Sequence, residues 1–414
     1  MKVTKEYIPR FLEEKIKKYL PKKEFIAVIG PRQSGKTTML KNIFKYLKNA
    51  LFIDFEDREK LALFDNDLKS FVELYVKGYD YLFIDEFQYS KEGGKNLKFI
   101  FDNYETKIII SGSSVSELSI QSIKYLVGRI LIFSLYPFSF SEFLQFKDKK
   151  IFDIYNKTSE LSEQIISVIN EFYKEYVIYG GYPRVIISKS LEEKNTILRN
   201  IYNTYLLKEI KEILGIKEDY KISKLMHGLA LQTGGLVDYG ELCSLVSCSY
   251  NELISNLNIL KKTFIINESR PFYTNKRTEL VKNPKIFFFD NGFRNFIINN
   301  FQELRNRTDK GQLNENFVSS EIAKNDINLQ YWRSKSKAEI DFIIEKEGKI
   351  IPIEVKSDLY KPNLNKAAYS FCRKYKAKEI FILSERLFDK KKFDFGIAKF
   401  RPLFYAGKIA EDFS

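Results

Sequence analysis

The sequence predicts an α/β chain in three parts: a parallel sheet carrying a phosphate-binding loop, a winged-helix module, and a second, smaller α/β domain. Three observations predict it. Gly30-Pro31-Arg32-Gln33-Ser34-Gly35-Lys36-Thr37 fits G-x-x-x-x-G-K-[ST]. Strand and helix patterns alternate from Phe25 to about Phe146, and three helical stretches then precede an extended segment between 223 and 273. Finally, an Asp341…Glu354-x-Lys356 constellation sits on what reads as a strand–turn–strand.

The loop is predicted by its flanks as much as by its motif. Phe25-Ile26-Ala27-Val28-Ile29 is a short apolar run, as a buried parallel strand requires. After the loop, Leu40, Ile43, Phe44 and Leu47 have helical spacing. A loop between a strand and a helix N-terminus presents backbone N–H groups and the positive end of the helix dipole to phosphate oxygens. The expected ligand cradle is therefore Gly30, Pro31, Arg32, Gln33, Ser34, Gly35, Lys36 and Thr37, with Thr38 next on the helix. Lys36 is expected at the β- and γ-phosphates and the Thr37 hydroxyl on Mg²⁺.

Leu51–Phe55, Tyr81–Glu86, Lys107–Ser111 and Ile130–Leu135 read as the second to fifth strands. Asp85 and Glu86 close the third. A carboxylate there can hold Mg²⁺ through its water shell, the role expected of Asp85. Glu86 is placed to orient or deprotonate an attacking water. Ser111 follows the fourth strand. Arg129, in Val127-Gly128-Arg129, is a candidate transition-state arginine acting in cis or on a neighbouring subunit; the other reading is a solvated surface arginine.

Composition narrows the classes. A chain of 414 residues with 44% hydrophobic residues can bury two or three cores. Three cysteines without metal-ligand spacing and a single histidine argue against a disulfide framework and a zinc site. No apolar run approaches the roughly 18 residues of a membrane span, and the first residues lack the apolar segment of a signal peptide. The expectation is a soluble cytoplasmic protein without a membrane partner. The net charge of +14 has the sign that nucleic acid attracts. Acidic residues are interleaved throughout, however, so charge alone does not specify a partner.

In the middle of the chain Ser223–Thr233, Tyr239–Val246 and Tyr250–Lys261 have helical spacing, and Ser247-Cys248-Ser249 is a short polar turn between the last two. Thr263–Ile266 reads as extended, turning near Arg270-Pro271 into Phe272-Tyr273. Three helices and a hairpin suggest a winged helix. Tyr250–Lys261 would then be the groove-entering helix, with Asn251, Asn256 and Asn258 as hydrogen-bonding candidates and Lys261 and Lys262 near phosphates. The same module can instead contact protein.

In the last hundred residues Glu339–Ile344 reads as a strand, Gly348 as a turn and Ile350–Lys356 as the returning strand. Glu354 and Lys356 are two apart and share a sheet face, and the hairpin can bring Asp341 beside them. Two carboxylates, Asp341 and Glu354, can hold Mg²⁺ while Lys356 positions or activates water. Gly311–Val318 opens a helix; Leu364–Tyr375 and Glu379–Leu383 read as a helix and a strand. Asp341 with Glu354-x-Lys356, in the order helix, three strands, helix, strand, resembles the PD-(D/E)XK nuclease superfamily, with a restriction-endonuclease-like fold. That superfamily often carries an acidic residue on the first helix, which implies Glu315, with Glu321 as the alternative.

A wider resemblance rests on Gly30-Pro31-Arg32-Gln33, Asp85-Glu86-Phe87-Gln88, Ile110-Ser111-Gly112-Ser113, Tyr136–Phe143, Gly180-Gly181-Tyr182-Pro183-Arg184, Lys282–Lys285 and Tyr331-Trp332-Arg333. Together these resemble a prokaryotic AAA-type P-loop ATPase family with a C-terminal extension of unknown function. The resemblance covers nearly the whole chain. It implies ATP as the nucleotide, and it places Ser111, or else Ser113, where such ATPases contact the γ-phosphate and the attacking water. The expected boundaries are an ATPase domain with a helical extension at 1–194, a winged helix at 195–300 and a nuclease-like domain at 301–414. The functional expectation is a Mg²⁺-dependent ATPase acting on DNA, with a metal-dependent nuclease site at its C-terminal end. The rival is an ATP-driven switch whose C-terminal half is a catalytically inactive module that binds a protein partner; a homo-oligomer is a separate partner expectation.

Overall fold

The computed structural model describes residues 7–112, 125–158, 160–204, 210, 219–273, 282–334 and 336–413. The chain forms two compact units, Met1–Pro137 with Lys262–Phe264, and Phe138–Lys261 with Ile265–Ser414.

The first unit holds five parallel strands: β1 (Phe25–Ile29), β2 (Ala50–Asp54), β3 (Tyr81–Asp85), β4 (Lys107–Gly112) and β5 (Ile130–Ser134), in the spatial order β2-β3-β4-β1-β5. Each expected strand is present to within a residue or so at either end. The apolar runs decide this, because a central parallel strand covered on both faces must be apolar at every position: β1 is buried throughout. Helices Phe11–Tyr19 and Lys36–Phe44 pack Ile16, Met39, Leu40 and Ile43 with Ile26, Val28, Phe83 and Ile109 in one core. Since β4 lies between β1 and β3, Ser111 pairs with Val28 on one side, next to the strand that ends in Asp85.

In the second unit helix Glu163–Tyr179 ends at Gly180, and the Asp290 carboxylate accepts the Gly181 N–H at 2.6 Å. Helices Asp219–Leu231, Tyr239–Val246 and Tyr250–Lys262 follow. Leu225, Leu229, Leu242, Leu253, Leu257 and Leu260 bury their apolar stripes in a common core with Ile266 and Phe288. The expected turn at Arg270-Pro271 is corrected. β6 (Ile266–Pro271) runs straight through it, pairing antiparallel with β7 (Lys285–Phe288) and then, at Arg270 and Pro271, parallel with β8 (Gln330–Arg333). A proline is tolerated at a strand end, where one ladder bond fewer is required. Residues 274–281, between the two strands, lie outside the described residues.

β8 continues through β9 (Glu339–Lys346) and β10 (Lys349–Val355), an antiparallel hairpin turning at Glu347-Gly348, to β11 (Glu379–Ser384), β12 (Asp389–Phe393) and β13 (Gly396–Pro402). The eight strands form one sheet, ordered β12-β13-β11-β10-β9-β8-β6-β7. Strands on both sides of residue 300 thus belong to one sheet. Helix Lys366–Tyr375 covers one face through Ala368, Phe371 and Cys372. Helix Lys310–Ala323 is buried at nearly every position from Leu313 onward.

Candidate functional site

The loop after β1 is shaped for phosphate. A Cβ on Gly30 would lie 2.1 Å from the Leu135 carbonyl oxygen, so only glycine allows this approach of the loop to the chain beyond β5. Gln33 (φ 61°) and Gly35 (φ 96°) are left-handed and curl the loop onto helix Lys36–Phe44, whose N-terminus has no side-chain cap. Its first N–H groups therefore lack the usual capping acceptor, which a phosphate oxygen can replace. The Lys36 ammonium, folded back, donates to the Gly30 and Pro31 carbonyls at 3.0 Å each. Ser34 Oγ is buried without a hydrogen-bond partner, Thr37 is half-buried and Thr38 is exposed. Arg32 hydrogen-bonds to Tyr89, beyond β3.

Asp85 is buried, and the Ser111 hydroxyl donates to its carboxylate. Glu86 follows in the left-handed region (φ 51°), a conformation a non-glycine residue holds only where its surroundings enforce it, and the Gln88 amide donates to its carboxylate. The structure thus brings Asp85 and Ser111 together at the loop end of the sheet. Arg129 lies at the other end. It immediately precedes Ile130, the partner of Phe25 at the start of β1, and it forms an ion pair with Asp102 at 3.0 Å. That position is about five strand residues, or roughly 16 Å, from the loop. The cis role expected as one alternative is not served by this placement. Ser113 lies outside the described residues.

The second unit gathers the other set. Pairing of Ile353 with Phe342 puts Asp341, Glu354 and Lys356 on one sheet face at the end of β10. The Lys356 ammonium is 2.5 Å from Glu354 and 3.8 Å from Asp341. The Val355 N–H donates to Asp341 at 2.7 Å and the Asn365 amide to Glu354 at 3.2 Å. Glu354 is 2% exposed, and its second oxygen, Oε1, is buried without a partner. Burial, and next the charge of Asp341, pushes Glu354 up to about 7. Burial followed by Asp341 also pushes Glu315 up to about 8, and burial raises Asp341. Glu321 belongs elsewhere: it accepts from the Phe140 N–H and the Tyr176 hydroxyl and pairs with Lys324 at 2.8 Å.

Residues 22–144 match the family described as an AAA domain, residues 170–304 a domain of unknown function (DUF8612) and residues 310–397 another (DUF4143). The amino-terminal part is thus similar to AAA domains, with a P-loop where their nucleotide binds. An uncharacterized protein of Haemophilus influenzae is 28% identical over 349 residues, 80% of this chain and 82% of that protein. An uncharacterized protein of Methanocaldococcus jannaschii is 26% identical over 342 residues, 78% and 72% of the two chains. Among solved structures, AMPPCP-bound DnaA from Aquifex aeolicus is 16% identical, covering 61% of this chain and 87% of that one, with a TM-score of 0.31. The ADP form of the Aeropyrum pernix ORC2 protein is 14% identical, covering 72% and 97%, with a TM-score of 0.34. Among the described residues no helix is long and apolar enough to cross a membrane.

Two contacts around the phosphate loop escaped the motif. The Arg10 guanidinium, buried, donates to the Ser34 carbonyl at 2.8 Å and the Tyr136 carbonyl at 2.7 Å, bracing the phosphate loop from a helix N-terminus twenty residues upstream. Tyr89 answers Arg32. In the second unit the missed residue is Lys285, whose ammonium is 2.5 Å from Glu339 and 3.8 Å from Glu315. Lys285 stands in the Lys282–Lys285 element, which gave it no role, and no local pattern marks the other two; each acts through a tertiary contact.

The fit of Mg²⁺ to Asp341 and Glu354 turns on donor chemistry. Both supply the hard oxygens Mg²⁺ takes, and the unpartnered Glu354 Oε1 is a ready acceptor of charge. Among the described residues no three Asp, Glu, His or Cys side chains form a metal-sized group. Mg²⁺ here would accordingly keep much of its water, as it commonly does. Asp341 and Glu354 would hold it, and it would supply Lewis-acid polarisation of a phosphate.

Proposed function

We propose that the chain is a Mg²⁺-dependent ATPase that acts on DNA and hydrolyses phosphodiester bonds at Asp341, Glu354 and Lys356. The observation that carries the second half is the conjunction of two crowded carboxylates, one with an unpartnered buried oxygen, and a lysine between them at one sheet end. Neighbouring buried carboxylates resist ionisation unless a cation joins them. In this reading Asp341 and Glu354 would hold Mg²⁺, which would supply Lewis-acid polarisation of the scissile phosphate. Lys356, 39% exposed, turns from Glu354 to the attacking water or a phosphate oxygen. Water adds to phosphorus as the P–O bond to the leaving strand breaks.

At the phosphate loop, Lys36 leaves the Gly30 and Pro31 carbonyls for the β- and γ-phosphates, Thr37 and Asp85 would hold Mg²⁺, and Glu86 orients the attacking water. Ser111, bonded to Asp85, faces the γ-phosphate. Arg129, remote from its own loop, is assigned to a neighbouring copy. Helices Tyr239–Val246 and Tyr250–Lys262, joined by a three-residue turn with β6 and β7 following, support a winged-helix reading of the middle segment, with DNA as its partner. The division 1–194, 195–300 and 301–414 is kept as one of sequence roles, since the sheet shared across residue 300 joins the last two parts.

Incubating the protein with duplex, single-stranded and branched DNA under Mg²⁺ or Mn²⁺, with and without ATP, tests the reading: cleavage of at least one substrate is expected. Binding without cleavage would instead favour an ATP-driven switch with an inactive binding module. The 2.5 Å Lys356–Glu354 pair, which occupies one carboxylate oxygen, is the observation on that side.

A further inference from the structure

The acidic cluster reaches beyond the segment that carries its motif. Lys285 lies on β7, in the middle segment, and its side chain is 5% exposed. Its ammonium is 2.5 Å from Glu339, 3.8 Å from Glu315 and 5.6 Å from the centre of the Tyr331 ring. Glu339 is two residues from Asp341 on β9 and shares its sheet face. Glu339 also has Arg333 at 3.6 Å. Glu315 is enclosed from the same middle segment by Gly234: a Cβ there would stand 3.1 Å from Glu315 Oε2, and the left-handed φ of 77° already favours glycine. Counting this one end of the sheet, Glu315, Glu339, Asp341 and Glu354 face Lys285, Arg333 and Lys356, four acids to three bases.

We propose that Lys285 is a positioning residue of the metal-dependent site, holding Glu315 and Glu339 next to the Asp341–Glu354 pair and opposing, by its charge, the divalent cation that pair would bind. The inference rests on the reading that this pair binds metal. Its substance is that the site is completed by the middle segment: a buried ammonium, paired with the carboxylates next to the metal pair, repels the incoming cation. A positive charge one carboxylate removed from a divalent cation opposes its binding, by more than about a factor of ten in a surface-like effective dielectric before screening by solvent and salt. After screening, a several-fold effect is expected.

The test is Mn²⁺ titration of the full chain without nucleotide, by calorimetry or electron paramagnetic resonance. The set is the parent with Asp341→Asn, Lys285→Met, Lys285→Arg, Glu315→Gln and the double variant Lys285→Met/Glu315→Gln. The parent should bind Mn²⁺, and Asp341→Asn should lose that binding. Lys285→Met should bind about five-fold more tightly or better, Lys285→Arg within two-fold of the parent, and the double variant, in which loss of the Glu315 carboxylate partly offsets loss of the ammonium while Glu339 keeps Arg333, less tightly than Lys285→Met. Should Lys285→Met fail to fold, the same increment is read between Glu315→Gln and the double variant. Mn²⁺ binding that Asp341→Asn abolishes but Lys285→Met leaves unchanged overturns the role of Lys285 and spares the metal site. Absence of Mn²⁺ binding in the parent, or binding indifferent to Asp341→Asn, overturns the metal-site reading and this inference with it.

Discussion

The two sites solve opposite electrostatic problems. At the phosphate loop one contiguous stretch, Gly30–Thr37, presents backbone donors, a helix N-terminus and the Lys36 ammonium, so the place is short of negative charge until a polyanion fills it. At the end of β10 carboxylates from two strands and a helix crowd together, so the place is short of positive charge. Local chain geometry builds the first, and it can be written as a motif. Tertiary packing builds the second, and only its Glu354-x-Lys356 core is local.

The sharpest way to break this comparison is Lys36→Ala, which should abolish ATP binding, because the phosphate cluster loses its nearest fixed cation. Calorimetry showing unchanged ATP affinity would remove the loop from the account. Glu86→Gln comes next. ATP should still bind, while hydrolysis slows by roughly 10²–10⁴-fold, the range for loss of a general base; hydrolysis at the parental rate would show that Glu86 is not catalytic. Phosphate contacts release counterions, so DNA affinity should fall steeply between low and moderate salt. A flat salt response would favour a protein partner for the second unit.

The smallest effect is on stability. Glu354 and Glu315 titrate near 7 and 8 when folded and near the ordinary carboxylate value of 4.5 when unfolded. Between those values the folded chain holds more protons. Their contribution is therefore fully present below about pH 4.5 and is lost as pH rises through 7 to 8. Without metal, the second unit should unfold at lower temperature at pH 8.5 than at pH 6, and Mg²⁺ should reduce the difference. Glu354→Gln should flatten the profile; a profile unchanged in that variant would mean that these carboxylates are not crowded.

How much could be read in advance follows the same division. β1 to β5 were legible because fully apolar runs leave a parallel strand little alternative. The face shared by Glu354 and Lys356 was legible because strand alternation is strict. Pro271 misled, since a proline reads as a turn unless the neighbouring strand is known; here β8 receives it. Arg10, Tyr89 and Lys285 were illegible because each meets its site across space, from 24, 57 and 30 residues away in the chain. The eight-stranded sheet that joins β6 and β7 to the C-terminal strands was hidden for the same reason.

The central claim is that the chain carries two separate chemistries, one for each charge pattern. The most direct measurement compares ATP hydrolysis and metal-dependent DNA cleavage in the parent and in Asp341→Ala. The account predicts that the variant loses cleavage entirely and keeps ATP hydrolysis within about two-fold of the parent, the margin expected of a change confined to another site. Cleavage that survives in Asp341→Ala would contradict it.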